Sequence, residues 1–106
     1  KRITAIFQPH LYTRTRDFYQ EFADSLSLFD DVILTDIYPA RELPIPGVTS
    51  QLIANNLKPG VPCTLCLKGE VTDIVRQRCN DIEILVLLGA GDLESQANEI
   101  TDIMKD

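Results

Sequence analysis

A short run near the start of the chain, residues 7–16 (FQPHLYTRTR), carries side chains that could bind a small anion. An apolar segment stops, turns at a proline and leads into a predicted helix. The side chains delivered to this turn are those of His10, Tyr12, Thr13, Arg14, Thr15 and Arg16. Because a helix N-terminus already carries roughly half a positive elementary charge, arginines there lower helix stability. We therefore interpret the turn as a site where guanidinium and backbone N–H groups bind a carboxylate or a phosphate.

The same turn also has a simpler interpretation. Arg14 and Arg16 could be solvated, or paired with acids elsewhere in this acidic chain. His10 could be a hydrogen-bonded turn residue with no role in binding. The sequence leaves both interpretations open.

The charge distribution limits the possible partners. A net charge of −6 argues against general nucleic-acid binding, because that affinity comes mainly from clustered Lys and Arg. Residues 1–16 nevertheless contain four basic residues and no acid, so we expect anions to bind at that end. Since no apolar run reaches the roughly eighteen residues of a membrane span and no signal peptide is evident, we predict a cytosolic protein without a membrane partner. The missing initiator Met suggests a domain taken from a longer chain.

The alternation of apolar segments predicts the fold class. Four segments are predicted to be strands: residues 3–8, 32–37, 63–67 and 82–88. Four amphipathic stretches are predicted to be helices: residues 15–29, 49–57, 70–79 and 93–104. At 106 residues this is one domain, and the alternation predicts an α/β fold with a mostly parallel sheet of at least four strands and helices on both faces. Thr13 or Thr15 is the predicted cap of the first helix.

The carboxyl end of the predicted sheet is the expected place for a ligand. In open parallel sheets ligands bind there, at a topological switch point, so residues 8–16 should share a rim with residues 89–92. Gly89 and Gly91 resemble the opening of a dinucleotide fingerprint, but the third glycine is missing and Asp92 would repel a phosphate. A plain tight turn with Asp92 as a helix cap is therefore favoured over a nucleotide site. Because no P-loop motif occurs either, any ATP site must lie mainly outside this segment.

The cysteines and the lone histidine argue against a metal centre. Cys63 and Cys66 lie three apart in a predicted strand, so they should point to opposite faces, as structural thiols do. A second pair of cysteines for a zinc site is missing. We predict no metal ligand in this chain.

The loop at residues 36–47 is long for a connection between a strand and a helix and contains three prolines. Prolines reduce the conformational freedom lost on ordering, so the loop suits a fixed surface for a ligand. A rigid cover over the end of the sheet is an equally good interpretation.

Three motifs, in this order, resemble the C-terminal domain of the UDP-N-acetylmuramate–L-alanine ligases, which belong to the Mur ligases of peptidoglycan synthesis. The motifs are residues 7–10 followed by 12–15, residues 36–40 followed by 44–47, and residues 89–92. The resemblance covers nearly the whole chain. It implies that residues 1–106 form a single Rossmann-like, three-layer domain from a larger enzyme.

The resemblance also implies an activity. In these ligases ATP phosphorylates the muramoyl carboxylate, and the amine of L-alanine attacks the acyl phosphate to form an amide. The implied partners are L-alanine, UDP-N-acetylmuramate and ATP, together with a central ATPase domain of the same chain that holds ATP and Mg²⁺. The C-terminal domain is expected to close over the central domain and position the amino acid. Alone it is expected to be inactive and to contribute no catalytic residue.

The implied roles can be assigned residue by residue. Arg14 would bind the carboxylate of L-alanine, with Thr13 and Thr15 as further donors and with His10 and Tyr12 orienting Arg14 or the ligand. The possible rim of the site comprises Arg16, Tyr38, Gly89, Gly91 and Asp92. One position departs from the family, since Leu11 stands where an arginine is common, and this removes one arm of a two-arginine clamp.

Two other classes of function remain alternatives at this point. One is a free-standing α/β module that binds an anion or a nucleotide without catalysis. The other is a flavodoxin-like interaction domain with no small ligand.

Overall fold

The computed structural model describes residues 2–89 and 97–105. The strands within these residues are β1 (Ile3–Gln8), β2 (Asp31–Leu34), β3 (Cys63–Leu65) and β4 (Ile84–Gly89). The helices are α1 (Tyr12–Leu26), α2 (Ser50–Ala54), α3 (Val71–Arg78) and α4 (Ala97–Lys105), with a 3₁₀ turn at Lys68–Glu70 before α3. No helix among the described residues is long and apolar enough to cross a membrane.

The four strands form one parallel sheet in the order β3-β2-β1-β4, which confirms the predicted α/β fold. β1 is central and pairs with β2 on one side and with β4 on the other. The chain adds β2 and β3 to one side of β1 and then crosses back to add β4, so a topological switch point lies between β1 and β4. Gln8 is opposite Gly89 at this point, as the shared rim requires. Gly91 and Asp92 lie outside the described residues.

Helices cover both faces of the sheet, which gives the expected three layers. Successive side chains along a strand point to opposite faces. One face buries Ala5, Val32 and Leu34 against α1 and α2, and the other buries Ile6 and Ile33 against α3 and α4. Because β1 and β2 are covered on both sides, their sequences are almost continuously apolar.

Some element ends differ from the sequence predictions. β2 ends at Leu34, earlier than predicted, because Tyr38 leaves the sheet and pairs with the turn after β1. α2 spans only Ser50–Ala54 instead of residues 49–57. The predicted start of the last helix lies outside the described residues.

The cysteines of the C-x-x-C spacing point to opposite faces, as predicted. Cys63 packs against the core under α1 and α2, and Cys66 packs against the core under α3 and α4. Both are half-buried free thiols. Burial raises the pKa of the Cys63 thiol, and burial together with the nearby carboxylates of Glu70 and Asp36 raises the pKa of Cys66 to about 11.

The buried face of β1 yields a stability prediction. Ile6→Ala removes a fully buried side chain and should lower the free energy of unfolding by about 2–5 kcal/mol, measured by urea denaturation. Leu28→Ala is the matched control, because Leu28 is 81% exposed and its truncation should change stability by less than about 0.5 kcal/mol. Equal losses in the two variants would contradict this placement of the core.

The raised pKa of Cys66 predicts low reactivity. Because the thiolate is the nucleophile, Cys66 should react with iodoacetamide at neutral pH on the order of 100-fold more slowly than a free cysteine. The site of labelling is identified by mass spectrometry, with Cys66→Ser as the control. Labelling of Cys66 at the rate of free cysteine would show that the thiol is not held in this environment.

Candidate functional site

The turn that follows β1 is joined to the loop that follows β2 by backbone hydrogen bonds. The N–H of Tyr38 donates to the carbonyl of Pro9 at 2.8 Å, and the N–H of Leu11 donates to the carbonyl of Tyr38 at 2.8 Å. The rings of His10 and Tyr38 stack, with centroids 5.6 Å apart and an interplanar angle of 16°. The structure therefore places two of the predicted site residues, His10 and Tyr38, against each other at the carboxyl end of the sheet.

Leu11 adopts an unusual backbone conformation at this junction, with φ 72° and ψ 139°. A residue with a side chain rarely takes a positive φ, and such positions are held only when their surroundings determine them. Here the carbonyl of Leu11 accepts bonds from the N–H of Thr15 at 3.1 Å and from its hydroxyl at 2.9 Å. α1 consequently begins at Tyr12 instead of at the predicted residue 15.

The cap of α1 comes from the loop and not from the turn itself. The predicted cap by Thr13 or Thr15 is wrong, because Leu11 is the N-cap residue and offers no side-chain acceptor. The carboxylate of Glu42 accepts a bond from the N–H of Thr13 at 3.1 Å and from the Thr13 hydroxyl at 2.6 Å. The hydroxyl of Thr13 is the main cause of a lowered pKa at Glu42, and the N–H groups of Thr13 and Tyr12 and the charge of Arg16 act in the same direction.

This contact changes the expected chemistry of the turn. The sequence predicted that exposed N–H groups at the start of α1 would be available to a substrate anion. A carboxylate of the same chain already accepts the Thr13 N–H. Sequence analysis missed Glu42, because it lies 29 residues from its partner and no local pattern links the two. Its position in the proline-rich loop was the only available signal.

The loop reaches α1 through a tight turn with two further positive φ values. Ala40 has φ 44° and Arg41 has φ 80°, and neither is glycine. At the far end of the loop, the buried hydroxyl of Ser50 donates to the carbonyl of Thr35. Backbone and side-chain bonds thus fix the loop at its base and at Glu42, so it holds a defined shape over the end of the sheet.

The two arginines of the turn have different environments. Arg16 pairs with Asp17, with Nε 2.9 Å from Oδ1 and Nη2 3.4 Å from Oδ2. This pairing raises the pKa of Arg16 and lowers that of Asp17. Arg14 is exposed, and no carboxylate in the described part of the chain pairs with it. The paired interpretation therefore describes Arg16. Arg14, exposed and without a carboxylate partner among the described residues, agrees both with a solvated side chain and with one that is available to a ligand.

The remaining predicted site residues are more enclosed. Thr15 is fully buried, and its hydroxyl is used by the Leu11 carbonyl. Tyr12 is half-buried and lines a cavity of about 260 Å³ next to the ends of β2 and β3. The other lining residues include Asp36, Ile37, Val48, Ser50 and Leu65. No sequence signal indicated this cavity, because its walls come from four separate segments.

The described residues do not fit a nucleotide with its Mg²⁺. The carboxylate of Glu42 stands at the N-terminus of α1, where a phosphate would otherwise bind. Across residues 2–89 and 97–105, no group of three or more His, Cys, Asp or Glu side chains could hold a metal ion.

Comparison with known proteins identifies the relatives of the chain. No family model matches it. The UDP-N-acetylmuramate--L-alanine ligase of Phocaeicola vulgatus is 58% identical over 104 residues, which is 98% of this chain and 22% of that protein. The ligase of the same name from Parabacteroides distasonis is 49% identical over 105 residues. The chain is homologous to the UDP-N-acetylmuramate–L-alanine ligases. The ligase of Porphyromonas gingivalis is 53% identical over 89% of the chain.

The chain spans about a fifth of the length of the ligases that it matches. The matched part is therefore consistent with one domain, the C-terminal domain, of a ligase of this family. Both segments of the site, the turn after β1 and the loop after β2, fall within the 98% of the chain that aligns with the Phocaeicola vulgatus enzyme.

The lowered pKa of Glu42 predicts a pH dependence of stability. Because the folded state binds the ionised carboxylate better, this contribution is fully present above the ordinary glutamate pKa of about 4.3 and is lost as the pH falls through the lower pKa of the folded state. The stability difference between the wild type and Glu42→Gln should therefore shrink in acid. Thermal unfolding between about pH 3 and pH 7 measures it.

Glu21→Gln is the control for the change in net charge, because Glu21 lies on α1 and is exposed, and its carboxylate makes no hydrogen bond to any described residue. A Glu42→Gln variant as stable as the wild type at neutral pH would show that the carboxylate does not cap α1.

Proposed function

We propose that this chain is the amino-acid-positioning domain of a ligase that joins L-alanine to UDP-N-acetylmuramate at the expense of ATP. The observation that carries the proposal is the position of Arg14. It stands exposed, without a carboxylate partner in the described residues, at the end of the sheet where parallel α/β folds bind ligands. The similarity to ligases named for this reaction supports the choice of L-alanine.

Arg14 supplies the charge for the amino acid. A guanidinium binds a carboxylate through paired, charge-assisted hydrogen bonds, which fix both the position and the orientation of the ligand. On a chain with sixteen acidic residues, an arginine without a carboxylate partner is available to an external one. The neighbouring Arg16 is held by Asp17, so it does not compete for the same ligand.

The other residues of the turn position Arg14 and do not take part in the chemistry. The stacked rings of His10 and Tyr38 and the bonds around residue 38 hold the turn against the loop. Thr13 fixes the start of α1 by binding Glu42, and Thr15 closes its first turn. Orientation of the alanine amine against an activated carboxyl group can lower the barrier by up to about 7–11 kcal/mol, so rigidity of this rim is itself functional.

The activating chemistry belongs to another part of the protein. We propose that a central ATPase domain of the same chain holds ATP and Mg²⁺, forms the acyl phosphate on UDP-N-acetylmuramate and meets this rim when the domains close. Closure would also exclude water from the activated intermediate. By itself this domain would bind the amino acid weakly and turn over nothing.

Removal of the Arg14 side chain tests the proposal in the full-length protein. Arg14→Ala should raise the KM for L-alanine about tenfold or more, because it removes a charge-assisted contact, while the KM for ATP stays close to the wild-type value. Steady-state measurement of amide formation gives both constants. Arg16→Ala is the comparison variant and should have the smaller effect, since Asp17 occupies that guanidinium. An unchanged KM for L-alanine in Arg14→Ala would refute the assignment.

A further inference from the structure

Arg41, in the loop after β2, is a second exposed arginine near the turn. It is exposed, and it makes no ion pair with any carboxylate in the described part of the chain. Other arginines do find such partners, since Arg76 pairs with Asp73 and Arg78 with Asp31. Arg14 in the turn after β1 and Arg41 in the loop after β2 are therefore guanidinium groups without a carboxylate partner among residues 2–89 and 97–105.

Arg14 and Arg41 each lie next to a residue of the same contact between the turn and the loop. Thr13, the residue before Arg14, donates two hydrogen bonds to the carboxylate of Glu42, the residue after Arg41. The backbone of residue 41 is therefore tied to the turn that carries Arg14. The loop is also fixed to the turn through Tyr38, so the two segments form one surface.

The backbone conformation at Arg41 has an energetic cost for a residue with a side chain. With φ 80°, following Ala40 at φ 44°, residue 41 occupies the left-handed region that glycine adopts without strain. An arginine there lowers stability relative to glycine. A side chain retained at a strained position is expected to have a use, because such strain concentrates at binding sites.

A carboxylate ligand can accept hydrogen bonds from two guanidinium groups at once. Its two oxygens offer about four acceptor sites, and one guanidinium uses two of them. Within the turn, Arg16 is paired with Asp17 and position 11 is a leucine, so Arg14 is the guanidinium of the turn that no described carboxylate binds. The N–H of Thr13 is bound to Glu42, so side chains and not the helix backbone must supply the remaining donors.

We infer that Arg41 is the second cation of the amino-acid site and binds, together with Arg14, the carboxylate of L-alanine. This inference rests on the proposed function. Glu42 is then a positioning residue, which holds Arg41 beside the turn by binding Thr13.

The test uses the full-length enzyme and two amine substrates, L-alanine and L-alaninamide, which has the same amine but no carboxylate. The quantity measured is the ratio of kcat/KM for L-alanine to that for L-alaninamide. In Arg41→Ala this ratio should fall about tenfold, because only the carboxylate substrate loses a contact. In Arg41→Lys the ratio should fall less, since lysine retains the positive charge but lacks the paired N–H donors of the guanidinium.

The Arg41→Gly variant distinguishes a loss of ligand binding from a loss of stability. The ratio should fall as it does in Arg41→Ala, whereas Tm should be no lower than that of the wild type, because glycine relieves the strain at φ 80°. Lys58→Ala is the control for loss of a positive charge, since Lys58 is exposed after α2, at the opposite end of the sheet. It should leave the ratio and Tm unchanged.

The outcomes distinguish the two proposals. If Arg14→Ala lowers the ratio and Arg41→Ala does not, the role of Arg41 is refuted and the proposed function stands. A loss of kcat/KM that is equal for both substrates in the Arg41 variants would also refute it, because that result indicates a structural effect. If the wild type forms no product from L-alanine, or if Arg14→Ala leaves the ratio unchanged, the proposed function and this inference both fail.

Discussion

The pair of hydrogen bonds from Thr13 to the carboxylate of Glu42 is the interaction on which the rim depends. It satisfies the Thr13 N–H at the start of α1, where the N-cap residue Leu11 has no side-chain acceptor. It also draws the loop after β2 across the end of the sheet, so that charges from two distant segments share one surface. Together with the pairing at Tyr38, it joins the turn to the loop.

The fold could be read from the sequence because the relevant signals are local. The apolar run at Ile3–Gln8 is so regular that the predicted strand agrees with β1 at both ends. The alternation of strands and helices is enough to imply a parallel sheet with helices on both faces. The bounds of α2 could not be read in the same way, because its apolar periodicity continues past the residue where the helix stops.

The sequence predicts a place for the site, at the end of the sheet where α1 begins, but not the contacts that build that end. The arginines at a helix start are the reason for choosing it, and the prolines of the loop indicate a rigid surface. Nothing in the sequence connects Thr13 with Glu42, 29 residues later, so the cap of α1 was assigned to the wrong residues. Likewise, the pairing of Arg16 and the exposure of Arg14 depend on side-chain directions along the helix that spacing alone does not give.

The junction around Tyr38 is built from main-chain hydrogen bonds, and this bears on which side chains the surface can carry. Main-chain bonds hold residues on both sides of it, and main-chain groups are the same for every amino acid except proline. Leu11 joins the turn to the loop through its main-chain N–H, so a different side chain at position 11 leaves this bond in place. The side chain presented there can therefore change while the two segments stay joined.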